Sequence, residues 1–297
     1  MRILVLGANG MLGHKLMQVF SSKFEVWGTV RGDVLKFEGH PVLSPSNLVG
    51  NVRAEQFETV KKAIGELNPS IVVNGIGLVK QRRLGSNPQS AIMINALFPH
   101  QLAQVCELNQ VKMIHISTDC VFSGKVGNYS ELDIPDGPDL YGRTKLLGEV
   151  TGPKALTFRT SLIGRELLGA SGLVEWFLSQ QGKEVWGYSR SIFSGFTTQA
   201  FGKFLLDVIE NHGDLQGIWH ISSDPISKYD LLQLFKKYFK ISIHINGNET
   251  LCCDRSLNSG RFRSKFGFLP PTWQEMVQQL AEDPTPYHQM RRIHVNQ

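Results

Sequence analysis

The sequence predicts an α/β fold, a doubly wound parallel sheet with a smaller C-terminal lobe interleaved with it. Three observations carry this. MRILVLGANGMLGHKL opens the chain as a short apolar run, a glycine turn and an amphipathic segment. Further apolar runs follow at 24–30, 70–74, VKMIHIST and FRTSLIG. They are continuous rather than alternating, as strands covered by helices on both faces are. Helical periodicity separates several of them, the βαβ rhythm of a Rossmann-type sheet.

In chain order, residues 1–6 are the first strand. Gly7, Gly10 and Gly13 follow in G-x-x-G-x-x-G spacing, with Asn9, Met11 and Leu12 between them. Glycines there permit a tight turn and close backbone approach to a pyrophosphate, and the helix that follows offers N–H donors. The second strand, 24–30, ends just before Arg31, where folds that prefer NAD carry an acidic residue. An arginine meets a 2′-phosphate instead, so NADP(H) is expected, with NAD(H) as the alternative; Asp33 nearby would favour the latter. A plain solvated loop arginine is the competing reading. Residues 38–50 read as loop, followed by Asn51-Val52. A helix over 53–66 leads to strand 70–74 and the turn Asn74-Gly75-Ile76-Gly77, whose small residues let backbone pass close to a cofactor or simply make a tight exit.

VKMIHIST ends on Thr118, followed by Asp119 and Cys120. Residues 123–140 form a loop. Tyr141 and Lys145 stand four apart, on one face of a helix. A neighbouring ammonium would lower the tyrosine pKa and make Tyr141 a usable proton donor or acceptor. Alone, Tyr-x-x-x-Lys describes an exposed helix face; beside a dinucleotide loop it gains meaning. Beyond FRTSLIG, helical patterns lie near 172–181, 197–211, 228–239 and 272–282, and GIWHIS (217–222) reads as a strand returning to the main sheet. The chain thus divides into a cofactor-binding unit over 1–164 and a lobe, mostly substrate-binding, over 165–297. The tail from Asp283 is expected to be peripheral.

Composition narrows the classes. The chain has 297 residues, 31 Lys and Arg against 26 Asp and Glu, and a net charge of +5. That excess suits a polyanionic cofactor and substrate. No helix-turn-helix, zinc or aromatic single-strand motif supports nucleic acid. No apolar run approaches the roughly 20 residues that span a bilayer. A cytoplasmic protein without membrane association is expected. Cys106, Cys120, Cys252 and Cys253 show no C-x-x-C spacing, and no metal site is expected.

The phrases VVNGIG, INAL, STDCVFSG, YGRTKLLGE, FRTSLIG, GIWHIS and SLN occur in one order across nearly the whole chain. With the glycine loop they resemble the extended short-chain dehydrogenase/reductases, and within them the dTDP-4-dehydrorhamnose reductases and related nucleotide-sugar reductases. The resemblance implies an NADP-dependent oxidoreductase that reduces the 4-keto group of a nucleotide-linked deoxysugar in cell-surface polysaccharide biosynthesis. It makes Tyr141 the proton donor, Thr118 a hydrogen-bond partner of the carbonyl oxygen and Lys145 a holder of the nicotinamide ribose. Asn95 matches the superfamily's helix asparagine, with a helix-surface residue as the competing reading, and Asn51-Val52 stand where family members carry Asp and an aliphatic residue near the adenine. Asp119, Cys120, Phe193 and Thr197 would border the substrate, though Phe193 also reads as a core aromatic and Thr197 as an N-cap. Two departures stand out. Gln81, Arg82 and Arg83 replace an acidic phrase, and Lys15 stands where relatives bind magnesium at a dimer interface. A homodimer is compatible with the resemblance; a metal-bridged one is not expected. Cys120 occupies the slot of the base of 4,6-dehydratases. Enzymes like GDP-fucose synthase carry a cysteine there and epimerise with a histidine, but residues 165–190 contain none. Without a positive charge nearby, Cys120 is expected to pack rather than react. A non-catalytic alternative is the NADP-binding regulatory subunit of methionine adenosyltransferase, which resembles these reductases.

Overall fold

The structure, a computed structural model, describes residues 1–79, 86–167 and 169–290. The first half runs β1 (Arg2–Leu6), α1 (Gly13–Phe20), β2 (Glu25–Thr29), β3 (Leu48–Val49), α2 (Phe57–Leu67), β4 (Ile71–Asn74), α3 (Pro88–Ala91), a π-helical turn Ile92–Leu97, α4 (Phe98–Leu108), β5 (Lys112–Thr118), α5 (Leu140–Leu147) and β6 (Ala155–Thr160). The second runs β7 (Leu162–Ile163), α6 (Leu173–Leu178), β8 (Glu184–Tyr188), β9 (Ser191–Phe193), β10 (Phe196–Thr197), α7 (Thr198–Asn211), β11 (Gly217–His220), β12 (Ile226–Ser227), α8 (Lys228–Tyr238), β13 (His244–Asn248), β14 (Cys253–Asp254), α9 (Gly260–Phe266) and α10 (Trp273–Ala281).

Seven strands form one sheet in the order β11-β6-β5-β4-β1-β2-β3, every neighbouring pair parallel. Parallel strands need helical crossovers, and the apolar runs serve both faces of the sheet. Ile3, Val5, Val73, Ile114 and Phe158 enter one core with Leu16 and Phe20 of α1 and Phe201 and Leu205 of α7. Leu4, Leu6, Val72 and Met113 alternate into a second core with Val60 and Ile64 of α2 and Phe98 and Leu102 of α4. The strand order reverses between β1 and β4, the place where such sheets bind ligands. The GIWHIS strand returns to this sheet as β11 beside β6.

After β6 the strands are short. β8 pairs with β13, β9 lies between β12 and β14, and β10 pairs with β7. Three details differ from the sequence reading. The expected loop 38–50 contributes the edge strand β3. The helix expected from 53 begins at Phe57, because the Thr59 hydroxyl accepts the Arg53 N–H at 2.9 Å and ties the preceding turn. The tail is not peripheral: Asp283 pairs with Lys15 at 2.5 Å with both side chains 4% exposed, and Tyr287 is buried. The Gln81-Arg82-Arg83 phrase lies outside the described residues.

Candidate active site

A cleft of about 440 Å³ opens at the carboxyl ends of β1, β4, β5 and β6. One wall is the glycine loop. Gly7 takes φ +80°, a left-handed conformation that favours glycine. A side chain at Gly13 would overlap the Gly7 carbonyl, so the loop closes only on glycine. Gly10, Met11 and Leu12 face the cleft. The opposite rim is the turn after β4, where Asn74 Oδ1 accepts the Ile76 N–H at 3.0 Å while Nδ2 lies 3.1 Å from His115 Nδ1. Asn95 fixes the next residues. Its amide accepts the Leu78 N–H at 2.8 Å and donates to the Leu78 carbonyl at 2.9 Å. It sits in the π-helical turn and is buried, not a helix-surface residue.

The floor is built by β5 and α5. Asp139 caps α5 by accepting the Gly142 N–H at 2.7 Å, and a side chain at Gly142 would overlap the Cys120 carbonyl. This close approach sets half-buried Tyr141 beside the end of β5. Thr118 accepts the Cys120 N–H at 3.1 Å and donates to Asp119 at 3.1 Å. Lys145 donates to the Ile116 carbonyl at 2.6 Å. The electrostatics correct one expectation. Burial pushes the Tyr141 phenol up, and the charges of Cys120, Asp119 and Asp139 add to it, while a hydrogen bond with Thr118 opposes it. Lys145 does not bring Tyr141 down, since its amine is turned to Ile116. Tyr141 therefore keeps its proton near neutral pH and is a donor. Burial lowers Lys145 to about 8, with Glu149 opposing. Burial also raises Asp119.

The RmlD substrate binding domain profile matches residues 1–285. The chain belongs to this family. The spore coat polysaccharide biosynthesis protein SpsK of Bacillus subtilis is 25% identical over 95% of this chain and 97% of its own. The dTDP-4-dehydrorhamnose reductase of Escherichia coli is 24% identical over 95% and 98%. A probable low-salt glycan biosynthesis reductase of Haloferax volcanii, Agl14, is 30% identical over 54% of this chain, and the match spans 52%, about half, of that relative. In fold, the dTDP-4-dehydrorhamnose reductase of Bacillus anthracis in complex with NADP superimposes with TM-score 0.77 over 94% of this chain and 98% of that one, at 19% identity. The family thus includes reductases of nucleotide sugars, which are oxidoreductases.

Within the family fold the cleft gathers Gly10, Met11, Leu12, Asn74, Gly75, Ile76, Thr118, Asp119, Cys120, Tyr141, Lys145 and Phe193. It does not gather the others. Gly7 and Gly13 shape the loop, Gly7 by its positive φ and Gly13 by its contact with the Gly7 carbonyl, and Asn9 lies in the same turn. Arg31 is exposed just past β2, 3.4 Å from Glu55. Asn51 and Val52 bond backward to Gly32 and Val30 at 2.9 and 3.1 Å. Thr197 is fully buried and caps α7, accepting the Ala200 N–H at 3.3 Å. The sequence reading missed Lys228, at the start of α8, and Arg255, both lining the cleft. Nothing in the local sequence marks either. Arg255 supplies the positive charge that the sequence did not place near Cys120: its Nη1 lies 3.8 Å from Cys120 Sγ, and the half-buried Cys120 lines the cleft. Among the described residues no group of three or more His, Cys, Asp or Glu is placed to hold a metal, and no helix is long and apolar enough to cross a membrane.

Proposed function

We propose that this chain reduces the 4-keto group of a nucleotide-diphosphate-linked deoxysugar with NADPH, in the making of cell-surface polysaccharide. The convergence of Thr118, Tyr141 and Lys145 with the glycine loop on one cleft carries this reading. The loop suits a dinucleotide. Its turn closes only without a Cβ at Gly13, and Gly10, Met11 and Leu12, which lead into α1, line the cleft where a helix N-terminus favours an anion. Gly10, Met11 and Leu12 would hold the diphosphate, Asn74 to Ile76 the middle of the cofactor, and Lys145 a ribose hydroxyl. When bound, NADPH supplies the hydride. Tyr141 gives its proton to the sugar oxygen as charge develops there, and Thr118 steadies the same oxygen. Asp119, Cys120 and Phe193 shape the sugar side. The test is oxidation of NADPH, followed by absorbance, across a panel of nucleotide 4-keto sugars; no oxidation with any of them sinks the reading.

Arg31 supports NADPH over NADH. It is exposed at the end of β2, and among the described residues its guanidinium has only the loose Glu55 contact. Arg31→Asp should raise the NADPH Kd about 10- to 100-fold, the worth of a charge-assisted hydrogen bond, and hardly change that of NADH. Calorimetric titration of both cofactors checks this, and an unchanged ratio rules it out.

Lys145 gives a pH signature. Because burial sets its amine at about 8, the ammonium is lost as pH rises through that value, well below the ordinary lysine range. The profile of kcat/KM reports the free enzyme. It should fall on a one-proton limb near pH 8; a flat profile from 7 to 9.5 contradicts the assignment.

A second reading, an epimerase–reductase, is favoured by one observation, the Arg255 guanidinium beside Cys120. A nearby cation stabilises a thiolate, which can take a ring proton. No histidine among the described residues lines the cleft to assist, so simple reduction stays first. In D₂O the product should carry no deuterium at ring carbons 3 or 5. Deuterium there that disappears in Cys120→Ser establishes the second reading.

A further inference from the structure

The Gly10 carbonyl, in the middle of the glycine loop, accepts the His14 backbone N–H at 3.2 Å, the first bond of α1, and is met a second time by the His14 side chain. His14 Nδ1 lies 2.8 Å from it, and His14 Nε2 lies 3.0 Å from the hydroxyl of Tyr287, 273 residues away in sequence. A carbonyl only accepts, so Nδ1 carries the proton. Burial lowers the imidazole to about 4. The ring is therefore neutral at pH 7, and Nε2 accepts from Tyr287. The Tyr287 hydroxyl also donates to Asp283 at 2.9 Å, so its one proton is shared between the carboxylate and His14 Nε2. The Asp283 carboxylate is already met by Lys15 at 2.5 Å and by the Thr285 hydroxyl at 2.7 Å. The Tyr287 ring is held independently: the Arg165 guanidinium stacks 4.5 Å from its centroid, and Arg165 is itself paired with Glu175 at 2.7 Å.

The consequence runs through the peptide plane. The Gly10 carbonyl and the Met11 N–H belong to one planar unit and point in opposite directions. The backbone and the ring of His14 together hold that carbonyl inward, which turns the Met11 N–H toward the cleft that Met11 lines. We propose that Tyr287 is a positioning residue for the dinucleotide loop, acting through His14 on the Gly10–Met11 peptide and so on the grip on the cofactor diphosphate. This rests on the cofactor reading above. It gives the C-terminal segment a role in cofactor affinity although it lies outside the cleft.

The test is calorimetric titration of NADPH into the full-length protein without sugar. Tyr287→Phe keeps the ring on Arg165 and removes only the hydroxyl. It should raise the NADPH Kd about five- to tenfold, the net worth of one hydrogen bond. KM for NADPH should rise in step, with kcat at saturating NADPH unchanged. His14→Asn keeps a donor near the Nδ1 position but cannot reach Tyr287. In that background Tyr287→Phe should change the Kd no further, the mark of one pathway. A wild-type Kd in Tyr287→Phe, even with a lowered melting temperature, overturns the proposal, as does an equal loss in the His14→Asn background. If the wild-type protein binds no nicotinamide dinucleotide, the cofactor reading itself fails, and this inference with it.

Discussion

Tyr141→Phe is expected to lower turnover by about 10²- to 10⁴-fold while the fold and NADPH affinity stay near wild type. The range is the usual cost of a positioned general acid. The ring lines the cleft half-buried, so phenylalanine fills the same space. Thr118 loses the phenol but keeps its bonds to Asp119 and Cys120, and α5 keeps its Asp139 cap. What disappears is a proton that burial keeps on the oxygen near neutral pH. Steady-state kinetics beside a thermal melt and an NADPH titration separate these effects. Turnover close to wild type in the folded variant would remove the proton donor and most of the enzymatic reading.

Gly13→Ala is expected to abolish tight cofactor binding and to destabilise the fold. The added methyl meets the backbone of Gly7 and Ala8, not the end of a flexible side chain. Neither neighbour can give way easily, because Ala8 N–H bonds Thr29 at 2.9 Å and Gly7 N–H bonds the Thr29 hydroxyl at 3.1 Å. Overpacking of this kind costs about 1–3 kcal/mol, and the loop must open to relieve it. A lowered melting temperature with no measurable NADPH heat is the expected pair of results. A variant that melts and binds like wild type would mean the loop tolerates a side chain and is not the rigid cradle described.

The doubly wound sheet was legible because its strands are apolar on both faces and its first turn is marked by glycines. The later strands were not, since β9, β10, β12 and β14 are two or three residues long and carry no period. The cleft was legible where chemistry sits on a fixed local spacing, as in Tyr141 and Lys145. It was illegible where tertiary packing decides. Lys228 and Arg255 reach the cleft from elements that only the folded lobe brings near. Tyr141 and Lys145 share a helix face as expected, yet the Ile116 carbonyl claims the ammonium and burial governs the phenol. Asp283 and Tyr287 looked like surface tail because neither lies in an apolar pattern; their burial depends on Lys15 and His14 at the far end of the chain.

Under the proposed reaction, hydride reaches carbon 4 of a nucleotide-linked keto sugar in this cleft. The most direct test is one turnover with NADPH deuterated on the transferring face of the nicotinamide, with the sugar product read by NMR. A single deuterium at carbon 4 is expected, present with the wild-type protein and absent without it. A product lacking deuterium at carbon 4, or carrying the label elsewhere on the ring, would contradict it.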